Sequence, residues 1–388
     1  MSELRYDVGV VGLGAWGSAT AAELAGRGAS VVGFEQFPLG HRRGASHDTS
    51  RIVRKSYHTP AYVALAIESY ADWDRLSAAV GEPLLHSTGG LDFFPPGAAI
   101  PIEDYTASLA ACSVPFDVLD TAEVRSRWPQ ISLPDGTLSI HQADTGMVHA
   151  ARTVAALQAL AKRRGARLVA DCAASIDGLD SGGVTLLAGD DRVHCARLVV
   201  TADAWTNAVL TPLERRLPLT VTQEQVSYFR PDAAALFAPE RFPVWIWMDD
   251  PSFYGFPVFT EPLVKSGQDV GGRITTADGR DFEPDPANEA QLAEFMARTF
   301  PACGGRVERT VTCLYTLTPD RDFVLAALPE ASDVIVGLGA GHGFKFTPTA
   351  GRVLADLALQ GTTGSDISSF RLDRPALTDP DRPVSWLV

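Results

Sequence analysis

The chain has no apolar run approaching the ~18 residues that cross a bilayer, so a membrane-spanning helix is excluded as a reading of it. It also lacks a basic surplus. Its 33 lysines and arginines face 47 acidic residues, leaving a formal charge of −14 at pH 7. That balance is repelled by nucleic acid and by anionic membrane surfaces, so neither is expected as a partner. Cysteines are few: Cys112, Cys172, Cys195, Cys303 and Cys313, odd in number and scattered. No CxxC and no His/Cys ligand spacing occurs among them, so neither a disulfide framework nor a metal site is expected. Four read as reduced thiols of a cytoplasmic protein; Cys313 is treated below. No targeting leader is expected, because the first strand starts almost at once. Repeats and low-complexity tracts are absent. What remains is an ordinary globular composition, 46% hydrophobic and 21% charged, over 388 residues. That length is long for one core and predicts two domains.

The most informative stretch is Asp7-Val8-Gly9-Val10-Val11-Gly12-Leu13-Gly14-Ala15-Trp16-Gly17. An apolar strand runs into Gly12, Gly14 and Gly17, an Ala-rich helix follows, and a second apolar run ends on Glu35. Gly12 permits the tight turn, Gly14 lets backbone approach a pyrophosphate, and Gly17 lets helix pack close on strand. The helix N-terminus faces the phosphates. Glu35, 21 positions after Gly14, suits a ribose hydroxyl and argues against a 2′-phosphorylated nucleotide. A dinucleotide is expected; this unit alone leaves FAD and NAD open.

Further on, a Gly/Pro/Arg/His loop (37–49) leads to Ser50-Arg51-Ile52-Val53-Arg54-Lys55-Ser56-Tyr57. Helical periodicity marks 61–80, and 150–165 reads as a helix with basic residues and glycine at its end. Short strands are predicted at 167–170, 184–187 and 193–200. The last of these leads into Thr201-Ala202-Asp203-Ala204-Trp205, where the chain returns to the nucleotide. Alternating aromatic segments at 226–230, 244–248 and 253–259 predict an antiparallel sheet, interrupted by a helix at 289–299. A strand at 334–336, the glycines Gly337, Gly339, Gly341 and Gly343, and a helix at 348–359 close the chain. Nucleotide-like pieces therefore open and close the sequence with another domain threaded between them. That interleaving favours FAD.

Several residues could carry chemistry. On a strand, Arg51 and Arg54 point to opposite faces, so one could meet the cofactor and the other grip a substrate carboxylate; a solvated charged turn is the plain alternative. Lys345, within Gly341-His342-Gly343-Phe344-Lys345-Phe346, needs an anionic partner if buried or else snorkels to the surface. Lys265 reads by itself as a surface lysine. Tyr254 and Tyr315 lie in strand-like runs, where core packing is the default. His47 and His342 lack metal-ligand partners at suitable spacing.

Taken together these segments resemble the monomeric sarcosine oxidase family, FAD-dependent amine oxidases related to pipecolate oxidase and D-amino acid oxidase. The resemblance runs nearly end to end. It rests on Gly12-x-Gly14-x-x-Gly17, Ser50–Tyr57, Tyr254-Gly255-Phe256-Pro257, Cys313-Leu314-Tyr315-Thr316 and Gly341–Phe346. It implies FAD, attached covalently through Cys313 to the flavin 8α-methyl. Ser46, His47, Ser50, Arg51, Ala174, Trp205, Gly341, Gly343 and Lys345 would join Gly12, Gly14, Gly17 and Glu35 around it. Arg54 and Lys345 would bind the substrate carboxylate, with Tyr254 and Tyr315 flanking the amine. Lys265 would promote oxygen reduction, since an ammonium stabilises the anion formed. Three departures limit the transfer. Sarcosine-oxidising members carry Tyr-His where this chain has Gln268-Asp269, Asp203 replaces a glycine, and Gly337-Leu338-Gly339-Ala340 differs from the usual Ala-Gly-Phe-Ser. Trp245 and Trp247 are expected to add aromatic bulk to the substrate sheet.

The expected fold is α/β and α+β: a Rossmann-type FAD-binding domain (1–83, 146–215 and 318–388) with an interleaved antiparallel-sheet substrate domain (84–145 and 216–317). The expected enzyme is a monomeric, cytoplasmic oxidase of a secondary, N-alkylated or cyclic α-amino acid. Orientation by Arg54 and Lys345 sets up hydride transfer from the C–N carbon to flavin. An imine and, after reoxidation by O₂, H₂O₂ result. Asp269 is the position on which substrate choice turns. A flavin amine dehydrogenase using another acceptor, or a flavin-binding subunit needing a partner, are the alternatives.

Overall fold

A computed structural model describes residues 4–379 and 381–385. The apolar run of the opening strand Leu4–Val11 is covered on both faces, with Val8 through Val11 buried, as a central strand of a parallel sheet requires. It pairs in parallel with Val31–Phe34 on one side and Asp191–Val200 on the other. Arg167–Val169 extends the first side. On the second, Ala331–Leu338 also pairs in parallel with Asp191–Val200. The antiparallel strands Ala174–Asp180, Gly183–Ala188 and Val324–Leu328 complete eight strands. Residues from both ends of the sequence thus share one sheet.

The helix Ala15–Gly26 is nearly all small residues and packs against both Ala150–Arg163 and Thr347–Gln360. The second contact is close: a Cβ on Gly351 would lie 2.6 Å from the Ala19 Cβ. Small side chains here bring the C-terminal helix directly onto the first one.

A second sheet of nine strands takes its strands from 90–142, 220–275 and 307–317. It is antiparallel except where Val244–Trp247 runs parallel to Gly90–Phe94, a joint that the aromatic alternation did not foretell. Thr220–Phe229 begins earlier than its apolar part. Its residues Gln223, Glu224 and Gln225 are polar yet buried, and the Gln223 and Gln225 side-chain N–H groups donate to Asp281 and to the Glu283 and Asp285 carbonyls. Polar pairing inside the sheet hides that half of the strand from a hydrophobic pattern. Period-2 alternation sends Trp245 and Trp247 away from the cavity, onto Phe295 of the helix Pro286–Thr299. Only Ile246 between them reaches the cavity wall. The aromatic bulk expected of the two tryptophans is therefore in the core.

A three-stranded sheet, Arg51–Val53 with Gly146–Val148 and Leu85–Ser87, holds the first arginine in place. Among the described residues no helix is long and apolar enough to cross a membrane, and no cluster of three His, Cys, Asp or Glu is arranged for a metal ion. All five cysteines are free.

Candidate active site

A cavity of about 470 Å³ runs from Glu35 and Ala174 past the glycine turn to Arg54, Tyr254 and Lys345. Gly12 sits at φ +93°, and a Cβ there would fall 2.6 Å from the Thr201 carbonyl oxygen. At Gly17 a Cβ would lie 1.8 Å from the Gly12 carbonyl oxygen. Both are places where any side chain breaks the turn. Gly14 meets only the Ser46 Oγ, at 3.1 Å from its would-be Cβ. Gly14, Ala15 and Trp16 bring the helix N-terminus to the cavity, and the Ala15 N–H donates to Ser46 Oγ at 3.0 Å. Glu35 is buried and accepts from the Leu13 and Phe37 N–H groups, at 3.0 and 3.2 Å. Burial opposes its charge, but His41 and the Leu13 N–H hold its carboxyl below the usual value. The C-terminal glycines close the same site: Trp16 Nε1 donates to the Gly343 carbonyl at 3.0 Å. Gly341 lies against the Tyr315 ring, and Trp205, on the cavity wall, is fixed by a bond to Asp278.

The Arg51 guanidinium binds three carbonyls, those of Ser50, Ala45 and His47 at 2.8 to 2.9 Å, and so shapes the loop that carries Ser46 and His47. His47 is kept neutral by burial and by Arg51, its pKa pushed down to about 3. Its Nε2 is buried without a partner. Ser50, Lys265 and Cys313 stand behind the open lining rather than on it. Lys265 is 3% exposed and pairs with Asp48 Oδ2 at 2.7 Å, donating also to the Ser50 carbonyl at 3.0 Å. Asp48 in turn accepts from the Tyr228 hydroxyl at 2.6 Å. Burial lowers the Lys265 pKa to about 8, and Asp48 limits the fall. The Cys313 thiol is pushed up to about 11 by burial, against the pull of Arg51.

At the other end Arg54 is buried against Asp92 at 3.6 Å, with its guanidinium 4.7 Å over the Tyr57 ring. Lys345 Nζ donates to the His342 carbonyl at 3.1 Å. Burial and then Arg54 hold its pKa well below that of an ordinary lysine. Asp269 is gripped at both oxygens by Arg321, at 2.8 and 2.7 Å. Although burial opposes it, Arg321 keeps this carboxyl below its usual range, so it is ionised at neutral pH. The Arg321 carbonyl in turn holds His342 Nε2 at 3.0 Å, tying the pair to the Gly341–Lys345 loop. Tyr254 and Tyr315 share this end, both phenols kept protonated by burial.

Arg54, Lys345, Tyr254, Tyr315 and Asp269 thus line one cavity with the glycine turn. Sequence reasoning missed Arg321, Asp48 and Asp92. Each is an ordinary charged residue in a turn or strand, and only the fold supplies its partner. The residues fit a bound dinucleotide. The turn is open where a Cβ would fill it, the helix N-terminus faces the cavity, Glu35 stands at one end, and His47 Nε2 lacks a partner.

The chain matches the FAD dependent oxidoreductase (DAO) family over residues 7–357. It is 33% identical over 379 residues to the monomeric sarcosine oxidase of Streptomyces avermitilis, covering 94% of this chain and 96% of that one. Identity to the N-methyl-L-tryptophan oxidase of Salmonella arizonae is 29% over 378 residues, 96% and 99% of the two chains. Among solved structures, NikD, an unusual amino acid oxidase essential for nikkomycin biosynthesis, superposes with a TM-score of 0.85 at 27% identity. That match covers 95% of this chain and 97% of NikD.

Proposed function

Because the chain belongs to the FAD-dependent oxidoreductase family of sarcosine and N-methyltryptophan oxidases, and is an FAD-dependent amine oxidoreductase, we propose that it oxidises a secondary, N-alkylated or cyclic α-amino acid with O₂ as acceptor. The observation that carries this reading is a pair of basic side chains, Arg54 buried and Lys345 half-buried, facing the same cavity as Tyr254 and Tyr315. Arg54 already has Asp92 as counterion; Lys345 donates to a carbonyl. An incoming carboxylate completes the set and favours the ammonium form of Lys345 beside it. Two cations on one carboxylate fix the neighbouring C–H bond, which is catalysis by orientation.

Tyr254 and Tyr315 confine the amine, which reacts in its neutral form. Asp269, held as an anion by Arg321, meets the part of the substrate beyond the amine, a setting unlike the Tyr-His pair of sarcosine-oxidising members; sarcosine is therefore not the favoured substrate. FAD, held by the glycine turn, Glu35 and the Gly341–Lys345 loop, would supply a two-electron acceptor that oxygen can reoxidise. Lys265 stabilises the anion formed from O₂, and Asp48 keeps that lysine charged. Cys313 is the attachment point for the cofactor, with Arg51 lowering the cost of its thiolate. The enzyme works as a monomer in the cytoplasm.

Anaerobic mixing with sarcosine, N-methyltryptophan, L-proline, L-pipecolate, a dehydropiperidine carboxylate and fructosyl amino acids tests the reading. Bleaching of the flavin by one of the N-alkylated or cyclic acids, followed on aeration by stoichiometric H₂O₂, is expected. Bleaching without H₂O₂ would make the protein a dehydrogenase, and no bleaching by any member would overturn the substrate class.

A further inference from the structure

The loop after Asp191–Val200 carries a residue that neither the nucleotide turn nor the substrate end uses. Asp203 holds a left-handed backbone at φ 47°, a conformation that suits glycine and costs other residues energy. Asp203 lines the cavity. Although Asp203 as a whole is half-buried, its Oδ2 is sealed from solvent and makes no hydrogen bond. Thr316 Oγ1, on the facing strand Val307–Leu317, is likewise buried and close enough to the Asp203 carboxyl to favour its charge, but their contact falls short of a well-formed hydrogen bond. Two buried polar groups in one cavity wall that satisfy each other so poorly call for a ligand that carries hydroxyl or N–H groups.

Position narrows the choice. Ala202, next to Asp203, abuts the glycine turn: a Cβ on Gly12 would lie 2.9 Å from the Ala202 Cα. Thr201 Oγ1 also donates to the Gly12 carbonyl at 2.8 Å. Thr316 follows directly on Tyr315, which belongs to the substrate end. The carboxyl therefore stands between the phosphate turn and the ring end, away from Glu35 and the other ribose. No cation figures among the influences on it: burial pushes its pKa up to about 6, opposed only by Thr316 and the Ala204 N–H. A carboxylate with no counterion repels a diphosphate but accepts readily from an alcohol. We propose that Asp203, with Thr316, holds a hydroxyl of the ribityl chain that joins the flavin ring to the pyrophosphate.

The proposal rests on FAD being the ligand, and its test separates the two. Apoprotein is prepared from the Cys313→Ala variant, to avoid a covalent flavin, and titrated with FAD and with deoxyribityl FAD analogues by quenching of flavin fluorescence. Adding Asp203→Gly relaxes the backbone, so folding is preserved and is checked by circular dichroism. Losing a hydrogen bond to a charged group predicts about 10-fold or more weaker FAD binding. One deoxyribityl analogue is expected to bind the parent more weakly by a similar factor, yet to bind Asp203→Gly as well as FAD does. Thr316→Val gives a smaller loss in the same direction. Equal FAD affinity of parent and Asp203→Gly, or unchanged discrimination among the analogues, overturns the proposal. Failure of the parent itself to take up FAD would instead overturn the cofactor reading.

Discussion

Replacing Asp269 by asparagine removes the anion that Arg321 grips while leaving its shape. Arg321 is 1% exposed and gives Asp269 two bonds, at 2.8 and 2.7 Å. The Asp269 side chain is 21% exposed, so the pair is shielded from bulk water on the arginine side and open to the cavity on the other. Breaking a buried pair by removing one partner costs ~3–5 kcal/mol, because the remaining charge is stranded. Partial exposure of the aspartate and the amide oxygen left by asparagine bring the expected loss to about 2–3 kcal/mol. Equilibrium urea unfolding of the holoenzyme measures it. The pH dependence has a definite sign. Asp269 has a depressed pKa, so its stabilisation is complete above the ordinary carboxylate value of about 4 and is lost only as pH falls below that. The deficit of Asp269→Asn is therefore constant from pH 6 to 9. Adding Arg321→Met removes the charge that has lost its carboxylate and recovers part of the loss. A single-variant deficit under about 1 kcal/mol, or one that grows between pH 6 and 8, would refute the reasoning that this pair is an ionised anchor.

Three further outcomes follow from the site. Lys265→Met should slow reoxidation of the reduced flavin by O₂ about 100-fold or more in stopped flow, with flavin reduction little changed. In the unsubstituted enzyme the same rate constant should fall as pH rises past about 8, where Lys265 loses its proton; Asp48→Asn moves that fall to lower pH, and a pH-independent rate in both would contradict the role. Acid-precipitated protein should retain its flavin, while Cys313→Ala releases it to the supernatant; free flavin from the unsubstituted chain would remove the tether. Flavin reduction should slow toward low pH as the substrate amine protonates, and a flat profile between about pH 6 and 9 would count against a neutral reactive amine.

The nucleotide half of the site was legible because each residue there answers a local demand. Gly12 needs its positive φ, Gly17 must touch the Gly12 carbonyl, and Glu35 closes a strand of known length after the turn. The charge partners were not legible. Nothing around Arg321 marks it as the residue that grips Asp269, which lies 52 positions earlier and on another element. Asp48, in the loop before Arg51–Val53, meets Lys265 on a distant strand in the same way. The tryptophans show a different limit. Alternation does predict that Trp245 and Trp247 share a face, but only the helix Pro286–Thr299 decides that this face is core and that Ile246 looks into the cavity. Asp269 was recognised as the position that bears on substrate, while its ionisation depends on an arginine that only the fold brings to it.

The central claim is that Arg54 and Lys345 select a carboxylate and thereby aim the substrate. Anaerobic flavin reduction compares the best amino acid found with its decarboxylated amine, in the unsubstituted enzyme and in Lys345→Met. The acid is expected to reduce the flavin at least about 100-fold faster than the amine, and Lys345→Met to remove most of this preference by slowing only the acid. Equal rates for acid and amine, or a preference untouched by Lys345→Met, would contradict it.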